Sequence, residues 1–140
     1  MAEGSKDPHF HGEVTQKAVL FNADGDVLLV RSAPEHPWSI PGGRIHEGER
    51  PTAGLAREIA EETGLTATVG APVATMTDAW VSDDGDPLYT VVYSCETTDR
   101  GVTLNQEHDE YTWVAPDAAR DRLHHDGVRR AVDRAIARRG

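Results

Sequence analysis

The sequence is short of cysteine, of lysine and of long apolar runs. Its one cysteine, Cys95, excludes an intrachain disulfide, and a reducing compartment is the simpler setting. Only Lys6 and Lys17 are lysines, so the basic residues are almost all arginine. No segment approaches the length of a membrane span, and the leading stretch MAEGSKDPHFHGE lacks the apolar run of a signal peptide. Positive charge is also scarce. The formal net charge is −10, which repels a nucleic-acid backbone and argues against a DNA or RNA partner. These absences lead to an expectation of a single cytoplasmic domain spanning residues 1–140, with no membrane and no nucleic acid among its partners.

The charge is unevenly spread. From Arg120 to Gly140 there are seven arginines and three aspartates, +4, which leaves −14 on residues 1–119. The basic end is read as the solvated face of a last helix. An acidic, lysine-poor surface suits a high-salt cytoplasm, and a genome rich in G and C accounts for it equally well.

Several patterns carry no site. His9 with His11, and His124 with His125, lack the spacing of a zinc centre, and the second pair is expected on a helix with its rings pointing apart. NADGD and DDGD resemble parts of calcium loops, but neither has the downstream bidentate glutamate at the right spacing, and Asp-Gly turns explain both. Cys95 lies in an apolar strand and reads as a buried thiol.

VTQKAVLF and VLLVRS, joined by NADGD, read as a β-hairpin. A Pro-rich connection follows, with a short extended piece at Trp38 to Ile40. Residues 51–63 read as a helix, TATVG as a short strand, and ATMTDAWV with PLYTVVYSCE as a second hairpin around SDDGD. YTWVA is one more strand. DAARDRLHH and GVRRAVDRAIARR read as helices, the last with Val128, Val132, Ala135 and Ile136 at helical spacing. Strands on both sides of a helix, with helices at the end, give an α/β fold in which a mixed sheet packs between helices.

The first of these helices conflicts with its own electrostatics. Pro51 suits its first turn and Gly64 its left-handed stop. Leu55 and Ile59 should face the core, and Gly54, which costs about 1 kcal/mol against Ala in a helix, points to close packing. At about 100° per residue, Glu58, Glu61 and Glu62 share one face. They repel one another, and the last two sit at the negative end of the helix dipole. Such a conflict is expected where function overrides stability, with a solvated acidic face on an acidic protein as the competing reading. Clustered carboxylates are hard oxygen ligands, and a divalent cation such as Mg²⁺ or Mn²⁺ cancels their repulsion.

The stretch that holds this helix resembles a known family. Gly43, Glu49 and then Arg57-Glu58-Ile59-Ala60-Glu61-Glu62-Thr63-Gly64-Leu65 match the Nudix box at every defined position, over residues 43–65. Trp38 and Pro41-Gly42 before it, a hairpin ahead of it and EHDEYTWV after it extend the likeness from about Thr15 to Val114. The resemblance implies an α/β/α sandwich and hydrolysis of a nucleoside diphosphate linked to another group. It implies that Glu58 and Glu62 hold Mg²⁺, with Mn²⁺ able to substitute, that Glu61 shares a second ion or a bridging water, and that the Gly42 carbonyl completes the site. Arg57 would orient Glu58, and Glu49 would sit at the mouth. The general base would be Glu58, or Glu107 on a loop after the box.

Arg31 and Arg44 are candidate phosphate clamps, with ordinary surface arginine as the competing reading. Trp38, Trp80, Phe21 and Tyr89 are candidates for stacking on a base, with core packing as the alternative. A proline marks many ADP-ribose hydrolases of the family and a tyrosine many dinucleoside polyphosphate hydrolases. Trp80, Val81, Ser82 and Asp83 stand at those places, so both markers are absent. The short build resembles members that act on (deoxy)nucleoside triphosphates, releasing monophosphate and pyrophosphate. The alternatives are an ADP-ribose or dinucleoside polyphosphate hydrolase, and a non-catalytic nucleotide-binding module.

Overall fold

The computed structural model describes residues 7–139, so the first six residues of the polar leading stretch, Lys6 among them, lie outside the described residues. The elements are β1 (Val14–Phe21), β2 (Val27–Arg31), β3 (Gly42–Arg44), α1 (Pro51–Thr63), β4 (Thr68–Met76), β5 (Tyr89–Glu96), β6 (Glu110–Val114), α2 (Pro116–Arg122) and α3 (Asp126–Arg139). The sheet runs β4-β5-β1-β2-β6, with β3 paired to β1 off that path. β1 and β5 are parallel and the other pairs antiparallel. The sheet is therefore mixed, and the fold class is α/β as the sequence suggests.

Successive side chains of a strand face opposite ways, so an unbroken apolar run marks a strand covered on both faces. Ala18-Val19-Leu20-Phe21 is such a run. Ala18 and Leu20 pack with Leu55 and Ile59 of α1. Val19 and Phe21 pack with Val128, Ala131, Val132 and Ala135 of α3. α1 thus covers one face, α2 and α3 the other. Cys95 is fully buried on the α1 side, where burial pushes its thiol pKa up to about 12.

Two expectations are corrected. TATVG and the start of ATMTDAWV belong to one strand, β4, nine residues long and shifted in register on either side of Pro72. A proline is tolerated there because β4 is an edge strand. α2 ends at Arg122, so His124 and His125 stand in the link before α3. His125 Nδ1 accepts from the Gly127 and Val128 N–H groups at 3.0 and 3.3 Å, which satisfies free donors at the start of α3.

The division of β1 matters most for the site. Its end at Phe21 pairs with Val27 of β2, while Thr15, Gln16 and Lys17 pair with Arg44, Gly43 and Gly42 of β3. The sequence shows a bend at the double glycine. The structure makes it a short strand that carries this backbone past the end of α1.

Candidate active site

The two glycines are set by space. Gly42 has φ 144°, and a Cβ there would run into the Gln16 carbonyl. A Cβ on Gly43 would strike the Glu58 carboxylate. Backbone can pass between β1 and the acidic face of α1 only without side chains. The Gly42 N–H then reaches Glu62 Oε1 at 3.3 Å.

Glu58 and Glu62 of α1 are joined by Glu107 of the loop before β6, with one oxygen from each lying within 4.8 Å of the others. No other such group of acidic, His or Cys side chains occurs among the described residues. Glu62 is 1% exposed. Its Oε1 meets both the Gly42 N–H and His108 Nε2, the latter at 3.0 Å, while its buried Oε2 has no protein partner. A buried, unpartnered carboxylate oxygen is costly unless a cation meets it. Burial first, and then the neighbouring Glu62, push the Glu58 pKa up to about 7, with Arg57 working against both. This donor set of hard oxygens, with one left orphaned, fits a divalent ion such as Mg²⁺.

Glu61 is placed differently from its two neighbours. It is 54% exposed and pairs with Arg57 Nη1 at 3.1 Å. Arg57 Nε donates to Glu49 Oε2 at 2.6 Å and Nη2 to Glu49 Oε1 at 3.1 Å, and Nη1 also lies 3.2 Å from Glu58 Oε1. Glu49 further accepts the His46 N–H at 2.8 Å. The Arg57 hydrogen bonds, then that of His46, hold the Glu49 carboxyl down at about 2. Arg57 is thereby fixed against the Glu58 carboxylate, and Glu49 acts on it from the loop.

The cleft around the carboxylates has a volume of about 440 Å³, and Lys17, Arg44, Arg57 and Trp80 are among its lining residues. Arg44 pairs with Glu13 at 3.0 Å, both partners being exposed. Arg31 is not part of the lining. It faces Glu110 across the β2–β6 pair, donates to both its oxygens at 2.9 and 3.2 Å, and stacks on Trp38 with 4.3 Å from Cζ to the ring centroid. Trp38 and Trp80 line a second hollow of about 280 Å³ with Pro37, Leu123 and His124. Trp80 belongs to both hollows, so they adjoin at that residue. Phe21 is in the core, and Tyr89 is exposed with its ring edge-on to Phe10. A larger open groove of about 610 Å³ near Thr66, Glu96 and Arg139 holds no comparable carboxylate cluster.

Two residues beside the carboxylates escape the reading of the sequence. His108 lies between the acids that attract attention in NQEHDEYTW, and nothing in the pattern marks it. Lys17 does leave a signal, a charge inside the apolar strand VTQKAVLF. Its Nζ lies 3.5 Å from the Gly42 carbonyl and 4.8 Å from the centroid of Trp80. Burial lowers its pKa, and the charges of Glu62, Glu107 and Glu58 oppose that shift.

Comparison with known proteins bears on the family and the fold. A model of the NUDIX domain matches residues 13–135. Nucleoside triphosphatase NudI of Escherichia coli K12 is 32% identical over 120 residues, covering 76% of this chain and 83% of that protein. An octanoyltransferase of Myxococcus xanthus is 34% identical over 121 residues, but these are 79% of this chain and only 32% of that protein. Among solved structures, the MutT protein of Methanosarcina mazei Go1 superposes with a TM-score of 0.74 at 24% identity, over 91% of this chain and 94% of that one. At that identity the likeness speaks for the fold.

Proposed function

The chain belongs to the Nudix hydrolase family, and from that membership we propose that it is a pyrophosphohydrolase of (deoxy)nucleoside triphosphates, releasing monophosphate and pyrophosphate. The observation that carries the reading is the junction at Trp80 of the carboxylate cleft with the aromatic slot. A base between Trp38 and Trp80 puts the phosphate nearest the nucleoside beside Glu58, Glu62 and Glu107. The name of the NudI relative, a nucleoside triphosphatase, supports the same substrate class. The octanoyltransferase name belongs to a protein of which this chain spans about a third, and it is not carried over.

In this proposal Glu58, Glu62 and Glu107, with the Gly42 carbonyl, hold Mg²⁺, and Mn²⁺ can replace it. Such an ion neutralises phosphate charge and makes water more acidic. Glu58 accepts the proton of the attacking water, with Arg57 fixing its carboxylate and Glu107 as the alternative acceptor. Glu61, held by Arg57 at the rim, is left for an outer ion or a water. Arg44 exchanges Glu13 for the far phosphates. Arg31 acts through Trp38, which it stacks upon, and not as a direct clamp. We read residues 1–140 as one domain, a reading supported by the family match over 13–135. Among the described residues no helix is long and apolar enough to cross a membrane, and we place the enzyme in the cytoplasm with its nucleotides.

The test is a panel of nucleotides with Mg²⁺, scored for phosphate with and without added pyrophosphatase, and repeated in ¹⁸O water. Nucleoside triphosphates should react, with label in the monophosphate or the pyrophosphate alone. Labelled orthophosphate as a primary product contradicts the cleavage site. Turnover of ADP-ribose or dinucleoside polyphosphates alone leaves the chemistry standing and moves the substrate.

A further inference from the structure

Lys17 is a cation placed where a cation is expected to come and go. It leaves β1 on the same face as Val19 and Phe21, the face on which Trp38 and Trp80 pack, whereas Glu58 and Glu62 come from α1 on the other side. It therefore reaches the cleft from the direction of the aromatic slot. Among the described residues its one hydrogen-bond partner is the Gly42 carbonyl, at 3.5 Å, the long limit for such a bond. An ammonium has three donors to satisfy. Trp80 faces it at 4.8 Å and three carboxylates act on it through space, yet none of them forms an ion pair with it among the described residues. Lys17 thus balances charge in the cleft while most of its hydrogen-bonding capacity stays free.

A divalent ion among Glu58, Glu62 and Glu107 changes this balance. The carboxylates then face a stronger cation, and the ammonium is repelled from it. What satisfies Lys17 next is an anion arriving from the slot side, and the phosphate adjoining a base held at Trp80 is such an anion. We propose that Lys17 is a phosphate-binding residue of this cleft, which serves as counterion to the carboxylates in the metal-free protein and turns to a non-bridging phosphate oxygen when ion and nucleotide are both bound. The proposal rests on the nucleotide reading above.

The two roles have opposite signs on substitution, which makes them separable. In Lys17→Met, Mn²⁺ alone, followed by loss of the free-ion resonance signal, should bind severalfold more tightly, because a competing cation is gone. A nonhydrolysable α,β-methylene nucleoside triphosphate, titrated calorimetrically at saturating Mg²⁺, should bind at least about tenfold more weakly, the loss expected for a charged hydrogen bond. Lys17→Gln, which keeps a polar side chain of similar reach, should show both changes in the same directions. Unchanged nucleotide affinity in both variants overturns the proposal and leaves Lys17 a structural counterion. Weaker Mn²⁺ binding in both also overturns it. Wild-type protein that binds Mn²⁺ but no nucleotide overturns the substrate reading itself, an outcome distinct from failure of Lys17 alone.

Discussion

At the scale of single residues, the site stores repulsion. Glu58 and Glu62 are one helical turn apart, and neither has a protein cation wholly its own: Arg57 is shared between Glu58, Glu49 and Glu61. The Glu58 pKa stands at about 7 against an ordinary 4.5, raised first by burial and then by Glu62. A folded-state pKa above the unfolded one means that folding takes up a proton. The stability this supplies is complete below about 4.5 and is lost as pH rises through about 7. The melting temperature of the metal-free protein should therefore decline across that window. In Glu58→Gln, which cannot ionise, this part of the decline should vanish, and turnover should drop by orders of magnitude. A decline of unchanged depth in the variant, read by calorimetry in chelator, would remove Glu58 as its source.

At the scale of an element, α1 shows how far local rules reach. Pro51 opens it, and Gly64, at φ 73°, closes it with its N–H on the Ala60 carbonyl at 2.9 Å. Both ends were therefore legible in the sequence, as was the buried stripe of Leu55 and Ile59. Gly54 is explained only by what lies above it. A Cβ there would stand 3.0 Å from Glu49 Oε1 and 3.3 Å from Gln16 Oε1. Glu49 cannot yield cheaply, since Arg57 and the His46 N–H hold it. Gly54→Ala gains about 1 kcal/mol of helix propensity and meets an overpacking cost of about 1–3 kcal/mol. The expected outcome is a variant no more stable than wild type, with denaturant midpoints as the check. A clear gain in stability would mean that the Glu49–Arg57 pair moves aside freely.

At the scale of the molecule, the sheet joins groups that the chain keeps apart. β3 lies against one half of β1 and β2 against the other, which brings Gly42 and Lys17 together. β6 pairs with β2, and the loop entering it carries Glu107 and His108 to α1. The carboxylate cluster exists only when α1 and this loop are both in place, so a divalent ion should bind the folded state and hardly the unfolded one. Mg²⁺ or Mn²⁺ should then raise the melting temperature in proportion to ln(1 + [ion]/Kd), and a chelator should abolish turnover reversibly. Full activity in excess chelator would be incompatible with the metal site.

The amino-acid order by itself determined the local matters: the first hairpin, the limits of α1, the double burial of β1, and the concentration of acid at one helix end. Each follows from spacing within a few residues, through strand alternation, the helical period or the stereochemistry of proline and glycine. It did not determine which acids meet. A helical wheel groups Glu58, Glu61 and Glu62, but Arg57 draws Glu61 to the rim and the loop before β6 puts Glu107 in the cluster. It did not show that β4 continues through Pro72, because only the position at the sheet edge makes that proline tolerable. Nor did it place Lys17 beneath Trp80 or His108 on Glu62, since those contacts join residues 63 and 46 positions apart. Those choices fell to the packed sheet, because burial and ion pairing act through space and the sequence orders residues only along the chain.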